Sequence, residues 1–155
     1  GDIEIIDAPD LDGDASVMGE RLAACIKSVI KPGHYGIIVG GETSVTLDVS
    51  SGDASSGVGG RAQEVALTTA IALAADRATA PSEWAVLVGG TDGRDGPCDA
   101  AGALLTSDDA LDITKARAAL AAHDCYPFLQ ASGQLVMTGG TGTNLGDLAI
   151  ILFSR

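Results

Sequence analysis

Trp84-Ala85-Val86-Leu87-Val88-Gly89-Gly90-Thr91-Asp92 is an apolar run of strand length that stops on two glycines and then turns polar. A short run rich in Val and bounded by glycine reads as a buried strand rather than a helix. The same pattern returns at Tyr35 to Val39, which runs into Gly40-Gly41-Glu42-Thr43, and at Gln134 to Thr138, which runs into Gly139-Gly140-Thr141-Gly142. Helical patterns lie between these runs. Such alternation predicts an α/β fold, a three-layer α/β/α stack around a mixed β-sheet. In open α/β sheets, ligands sit beyond the carboxyl ends of strands, where glycine lets backbone amides approach an anion. Three such ends on one edge would make one site.

Working outward, Ile3 to Ile6 reads as a strand, and Asp12 or Asp14 caps a helix whose apolar stripe is Met18, Leu22, Cys25 and Val29. That helix is expected to end near Pro32-Gly33. Ser44 to Val49 alternates as a further strand, and the Ser- and Gly-rich stretch Ser50 to Gly60 as a loop. A helix is expected from Arg61 to about Thr79, with Leu67, Ala70, Ile71 and Ala74 on one face and Ala80-Pro81 as its stop. Ala103 to Leu105 is a short apolar run. Ser107-Asp108-Asp109 has the chemistry of a helix start, with alanine-rich helical segments continuing to about Ala131. Leu148 to Phe153 is a final strand.

The 155 residues suit one domain with an ordinary core. Twenty-one glycines, about twice the usual share, accompany a small-residue apolar composition. The formal net charge of -12 disfavours nucleic-acid and anionic-membrane partners. Cys25, Cys98 and Cys125 are odd in number and include no CxxC pair, which argues against a disulfide framework or zinc site and for a reducing cytoplasm. No signal-peptide pattern opens the chain, and Ala70 to Ala75 and Leu148 to Phe153 are too short to span a bilayer.

Four segments carry chemistry. Gly59-Gly60-Arg61-Ala62-Gln63-Glu64 opens a helix, where free N–H groups and a permanently charged fork suit phosphate or carboxylate. Its plain alternative is a solvated Arg61, or one paired with Glu64. Thr91-Asp92-Gly93-Arg94-Asp95-Gly96-Pro97 puts two carboxylates in a turn beyond a strand, suited to Mg²⁺ or to a substrate hydroxyl, and equally to Asx-turns that shape the loop. The Asx-turn reading is the stronger for Asp95, the functional one for Asp92. Thr138-Gly139-Gly140-Thr141-Gly142-Thr143-Asn144 offers amides and hydroxyls to phosphate oxygens, or is only a tight strand connection. In Gly40-Gly41-Glu42-Thr43, Glu42 either fixes the loop, pairs with Arg61, or meets substrate.

Other chemistries are missing. There is no Walker loop and no GxSxG elbow, and His34 and His123 are far apart in sequence. The glycine spacing after residue 138 is not a dinucleotide fingerprint, since a strand follows it. Asp124 reads as the cap of a short helix, and neither Cys98 nor Cys125 carries a sign of activation.

Taken together, Gly40-Gly41-Glu42-Thr43, Gly59-Gly60-Arg61 with Gln63-Glu64, Thr91-Asp92-Gly93 with Asp95-Gly96-Pro97, Asp99, Ala101-Gly102-Ala103, Thr138-Gly139 with Thr141-Gly142-Thr143-Asn144, and Asp147-Leu148 resemble the MOFRL domain in order and spacing. The resemblance covers about Gly36 to the C-terminus. It implies the C-terminal domain of an ATP-dependent glycerate 2-kinase, a family also named hydroxypyruvate reductase. Residues 1-155 would then be a single MOFRL-like domain, with 1-34 leading in from a missing N-terminal domain and 35-155 as core.

The resemblance further implies a cleft between the domains, with Arg61 and Asp92 as catalytic residues, ATP and Mg²⁺ as cofactors, and Asp92 as the candidate metal ligand. Substrate or phosphate contacts are expected from Gly40, Gly41, Glu42, Thr43, Gly60, Gln63, Thr91, Gly93, Asp95, Thr141, Gly142, Thr143 and Asn144. The partner domain would add a lysine and further acids. The expected reaction is phosphoryl transfer to the 2-hydroxyl of D-glycerate, with the isolated chain inactive. The chain departs from the pattern at Ala62, where the family usually has Asn, at His123-Asp124-Cys125-Tyr126 for Asn-Asp-Ser-Tyr, and at Gly140 for Pro. These departures bear on the substrate and on whether the chain still acts as a kinase. A non-catalytic module binding a small anion or a protein through the same glycine edge is the alternative, and reductase activity a distant third. A homo-oligomer is compatible with both.

Overall fold

The computed structural model describes residues 1–46 and 57–155. Six strands, β1 (Ile3–Ile5), β2 (His34–Gly41), β3 (Glu83–Gly90), β4 (Gly102–Thr106), β5 (Leu135–Val136) and β6 (Asp147–Ser154), form one mixed sheet in the order β1-β2-β6-β3-β4-β5. Four helices accompany it, α1 (Ala15–Ser28), α2 (Arg61–Ala74), α3 (Ile113–Ala121) and α4 (Cys125–Ala131). This is the expected α/β class with a mixed sheet. β6, the last strand in sequence, is central in space and runs antiparallel to both β2 and β3. The carboxyl ends of β2 and β3 therefore point the same way and flank the start of β6.

Alternation along the strands explains where the core lies. Tyr35, Ile37 and Val39 of β2, Trp84, Val86 and Val88 of β3, and Ala149, Ile151 and Phe153 of β6 are all buried on one face. Full burial of a side chain such as Ile151 stabilises the fold by roughly 2–3 kcal/mol. The helices cover this face. The opposite face carries Ile3, Ile5, Ile38, Leu104 and Leu152, between 42% and 60% exposed. Among the described residues no second helical layer covers it, so of the three expected layers the chain itself supplies a helical layer and the sheet.

Asp14, one of the two expected caps, accepts from the amides of Ser16 and Val17 at 3.0 and 3.3 Å. The helix it starts ends at Ser28, earlier than Pro32-Gly33. Its buried face is Met18, Leu22, Ala23 and Ile26, while Cys25 and Val29 sit at the rim. Residues 1–34 thus contribute a strand to the sheet and a helix to the same core.

α2 is buried on every side from Ala62 to Ile71 rather than on one face, because α1, the sheet and the α3–α4 pair enclose it. It ends at Ala74, before the expected Thr79, and a turn on Asp76 leads to Pro81. Ser107-Asp108-Asp109 does not start a helix. The Asp109 carboxylate accepts from the Thr106 amide at 2.6 Å and closes the turn after β4, and Asp112 caps α3 through Lys115 N at 3.1 Å. The strand expected over Ser44 to Val49 amounts, within the described residues, to an isolated bridge of Ser44 with Asp14. Its remainder and most of the Ser50–Gly60 loop lie outside the described residues. β5 is two residues long instead of five.

Candidate functional site

Asp147 opens β6 and pairs in register with Gly41 on one side and Gly90 on the other. The side chains of 147, 149, 151 and 153 share the helix-covered face, so the Asp147 carboxylate meets the first turn of α2. There it takes Arg61: Nε donates to Oδ2 at 2.7 Å and Nη2 to Oδ1 at 3.3 Å. The remaining Arg61 nitrogen, Nη1, donates to Glu42 Oε1 at 2.6 Å. Of the readings open for Glu42, the pairing with Arg61 is the one observed; Arg61 does not pair with Glu64. Burial works against the guanidinium charge, but Asp147 and then Glu42 outweigh it and raise the Arg61 pKa. Burial likewise raises the Asp147 pKa, with Arg61 opposing it.

Two of the α2 amides that seemed available to an external anion are already used. Asp95 accepts from Ala62 N at 3.0 Å and Gln63 N at 2.8 Å. Its carboxylate lies so close to Gly60 that a Cβ there would fall 2.2 Å from Asp95 Cγ. Burial pushes the Asp95 pKa up to about 6, although both amides favour its charged form. Asp95 is 2% exposed and Gln63 fully buried, so both expected ligand contacts are corrected to an internal cap and a core residue.

A cleft of about 1340 Å³ opens over this edge. Of the expected site residues, Gly41, Glu42, Thr43, Gly60, Arg61, Asp92 and Asn144 line it. Thr43 is almost buried and its Oγ1 has no hydrogen-bond partner among the described residues. Asp92 Oδ1 accepts from Arg94 N at 2.9 Å, an Asx-turn that still leaves Oδ2 for a ligand.

Gly40, Thr91, Gly93, Thr141, Gly142 and Thr143 do not line the cleft. β5 lies two strands beyond β3, about 10 Å away. The connection to β6 must therefore cross back over β4 and β3. In doing so it straps the Asp92 turn. Thr91 Oγ1 accepts from Leu145 N and donates to Gly146 O, both at 2.8 Å, the Thr141 hydroxyl donates to Thr91 O, and Thr141 N donates to Asp92 O at 3.3 Å. Because this connection joins strand to strand, it is no dinucleotide-binding turn.

Four cleft residues with ionisable side chains were not among those expected. Asp147 was legible only as part of a family motif. Arg94 lies on the Asp92 turn and forms no salt bridge among the described residues. Glu64 and His123 meet across the cleft wall, His123 Nδ1 lying 2.8 Å from Glu64 Oε1. Burial raises the Glu64 pKa and His123 opposes that rise. No signal in the chain joins residues 59 positions apart. Asp124 precedes α4 but makes no side-chain cap; its Oδ1 accepts from Val58 N at 2.7 Å. Cys98 and Cys125 are buried, and burial raises both thiol pKa values, so neither is activated.

Comparison with known proteins locates this architecture. The MOFRL family matches residues 35–147. A D-glycerate 2-kinase of Thermotoga maritima is 39% identical over 153 residues, covering 90% of this chain and 33% of that protein. A protein of Agrobacterium vitis, provisionally named a hydroxypyruvate reductase, is 40% identical over 151 residues, covering 92% of this chain and 32% of its own length. The crystal structure of a glycerate kinase from Thermotoga maritima superposes with a TM-score of 0.78 at 36% identity, over 98% of this chain and 36% of that one. A structure from Pyrococcus horikoshii gives 0.76 at 26% identity, over 98% and 34%. The chain spans about a third of the length of these relatives. With its motifs, its fold and the matched span in agreement, this chain belongs to the MOFRL family.

Proposed function

We propose that this chain is the C-terminal part of an ATP-dependent glycerate 2-kinase and supplies one wall of its active-site cleft. The carrying observation is the charge on that wall. Four carboxylates, Glu42, Glu64, Asp92 and Asp147, face two guanidinium groups, Arg61 and Arg94. A nucleotide triphosphate brings several negative charges and would be repelled by such a surface alone. Positive charge must come from a divalent cation and from the two-thirds of the protein by which the relatives are longer. A wall of this composition orients substrate without completing the site, so the isolated chain binds but does not turn over.

Among the described residues no group of three or more His, Cys, Asp or Glu side chains is placed to hold a metal. Mg²⁺ does not require such a group, since it keeps its waters and is carried largely by phosphate oxygens with one or two carboxylates. Asp92 Oδ2 is the oxygen this chain would offer, and the ion would neutralise charge on the transferring phosphoryl group. Arg61, held by Asp147 along one edge, keeps the Nη1 edge bound to the exposed Glu42. Glu42 can exchange for a substrate carboxylate at that position. Thr43 and Asn144 add polar contacts on the same side.

Residues 1-155 are read as a single unit, 1-34 being the approach from the preceding domain. No helix among the described residues is long and apolar enough to cross a membrane. With its free cysteines, the chain is read as cytoplasmic, and self-association is compatible with this function. The saturation of Arg61 by two carboxylates favours one second reading, a non-catalytic module. An assay coupling ADP release to D-glycerate decides the catalytic claim: the chain alone gives no turnover, and robust ATP-dependent turnover by it would sink the half-site account.

A further inference from the structure

Glu64 is an expensive residue where it stands. Its side chain is 5% exposed on α2, which is buried from Ala62 to Ile71, and a carboxylate is costly to bury unless it is paired and hydrogen-bonded. Its partner is equally deliberate. His123 occupies the turn between α3 and α4 at φ +50°, a region that few residues other than glycine enter. The turn is pinned by His123 N donating to Leu120 O at 3.0 Å and Asp124 N to Ala119 O at 2.8 Å. From the other side, the segment before α2 clamps it, with Gly57 N donating to Ala122 O at 3.1 Å and Tyr126 N to Val58 O at 2.9 Å.

The result is an imidazole held at Nδ1 by a buried carboxylate, with its ring 29% exposed in the cleft that also contains Arg61 and Asp92. Among the described residues His123 Nε2 has no hydrogen-bond partner. A carboxylate that accepts from Nδ1–H leaves Nε2 as the nitrogen with the lone pair, the arrangement by which a histidine is fixed as a base. Asp92 is less suited to that task, since one of its oxygens already accepts from Arg94 N.

We propose that in this chain, where His123 stands in place of the family's usual Asn, Glu64 and His123 form the proton-accepting pair of the cleft, His123 Nε2 taking the proton of the substrate hydroxyl; this rests on the kinase reading above. The hydroxyl oxygen forms the new bond to the γ-phosphorus. The bond from that phosphorus to the β,γ-bridging oxygen breaks, its electron pair leaving on ADP. The hydroxyl proton moves to Nε2, giving an imidazolium that faces the Glu64 carboxylate. His123 is then a catalytic residue and Glu64 a positioning one. Asp14 is a further charge acting on Glu64.

Nitrogen NMR of the histidine rings in the 155-residue chain tests this, with His34, exposed at the far end of β2, as internal control. The free chain should show His123 protonated at Nδ1 and bare at Nε2. D-Glycerate should shift Nε2 and leave His34 unmoved, whereas 3-hydroxypropanoate, which lacks the 2-hydroxyl, should shift neither. Glu64→Gln should mix the two tautomers and abolish the Nε2 response while the Arg61 Nε–H resonance still responds to D-glycerate. If that variant does not fold, the contrast between the two acids in the unaltered chain decides. Protonation at Nε2 in the free chain, equal shifts with both acids, or an Arg61 response without one at His123 would each overturn the pair's role alone. Silence at both residues would defeat the kinase reading along with it.

Discussion

At Gly41 the backbone is wedged between Leu11, with which it forms a parallel bridge, and Asp147, its partner in β6; at Gly140, in the same dipeptide after β5, no atom lies within 4 Å of where a Cβ would stand. The two sites share a local sequence and differ in surroundings. Gly41 belongs to a strand end that abuts the central strand and builds the cleft. Gly140 belongs to a strand end displaced by two strands, and it reaches the cleft only through the connection that follows it. Glycine pairs after strands mark an edge of the sheet, but the strand order decides which of them form a site.

One added methyl group at each of these glycines should separate the two strand ends. Gly41→Ala should cost about 3 kcal/mol or more, because φ is +146° and the new Cβ would fall 2.1 Å from Leu11 O. A urea midpoint lowered accordingly would confirm it, and an unchanged one would show that the edge is looser than described.

The next effect is a pH dependence at Asp95, which caps α2 beyond the β3 end. Its folded pKa of about 6 lies above its ordinary 3.8, so its contribution is fully present below the lower value and is lost as pH rises through the upper one. The loss amounts to about 3 kcal/mol across that window. Asp95→Asn should remove this slope. The difference between variant and parent stability from pH 4 to 7 isolates it from the other carboxylates.

Asp147→Ala leaves Arg61 without its buried partner. The expected cost is about 2 kcal/mol, below the range for a fully buried broken pair because Arg61 is 34% exposed. Glu42→Ala, removing the exposed partner of the same arginine, should cost under about 1 kcal/mol. Equal losses would contradict the division between an anchoring and an exchangeable carboxylate. Smallest of all, Gly140→Ala should change the unfolding free energy from urea titration by no more than about 0.5 kcal/mol.

Periodicity made the strands legible wherever a run was both apolar and bounded, as at Trp84 to Val88 and Leu148 to Phe153. It failed where tertiary enclosure overrode pattern. α2 looked amphipathic because alanine is neutral in such a reading, yet it is buried all round. Asp109 had the right chemistry for a helix cap, but its carboxylate found a nearer amide at Thr106. Within the site, Arg61 and Asp92 were legible because each follows a glycine-rich strand end or helix start. Asp95 was legible as a turn former but not as the cap of a helix 32 residues earlier. The Glu64–His123 pair joins α2 to the turn before α4, a contact that only the packed fold creates.

Arg61 is proposed to anchor a sugar-acid carboxylate on this wall. Calorimetric titration of the chain and of Arg61→Ala with D-glycerate, phosphoglycerate and ATP tests it most directly. The chain should bind D-glycerate saturably, and the variant should lose that binding. Binding of none of the three by the chain would contradict it and favour the non-catalytic module.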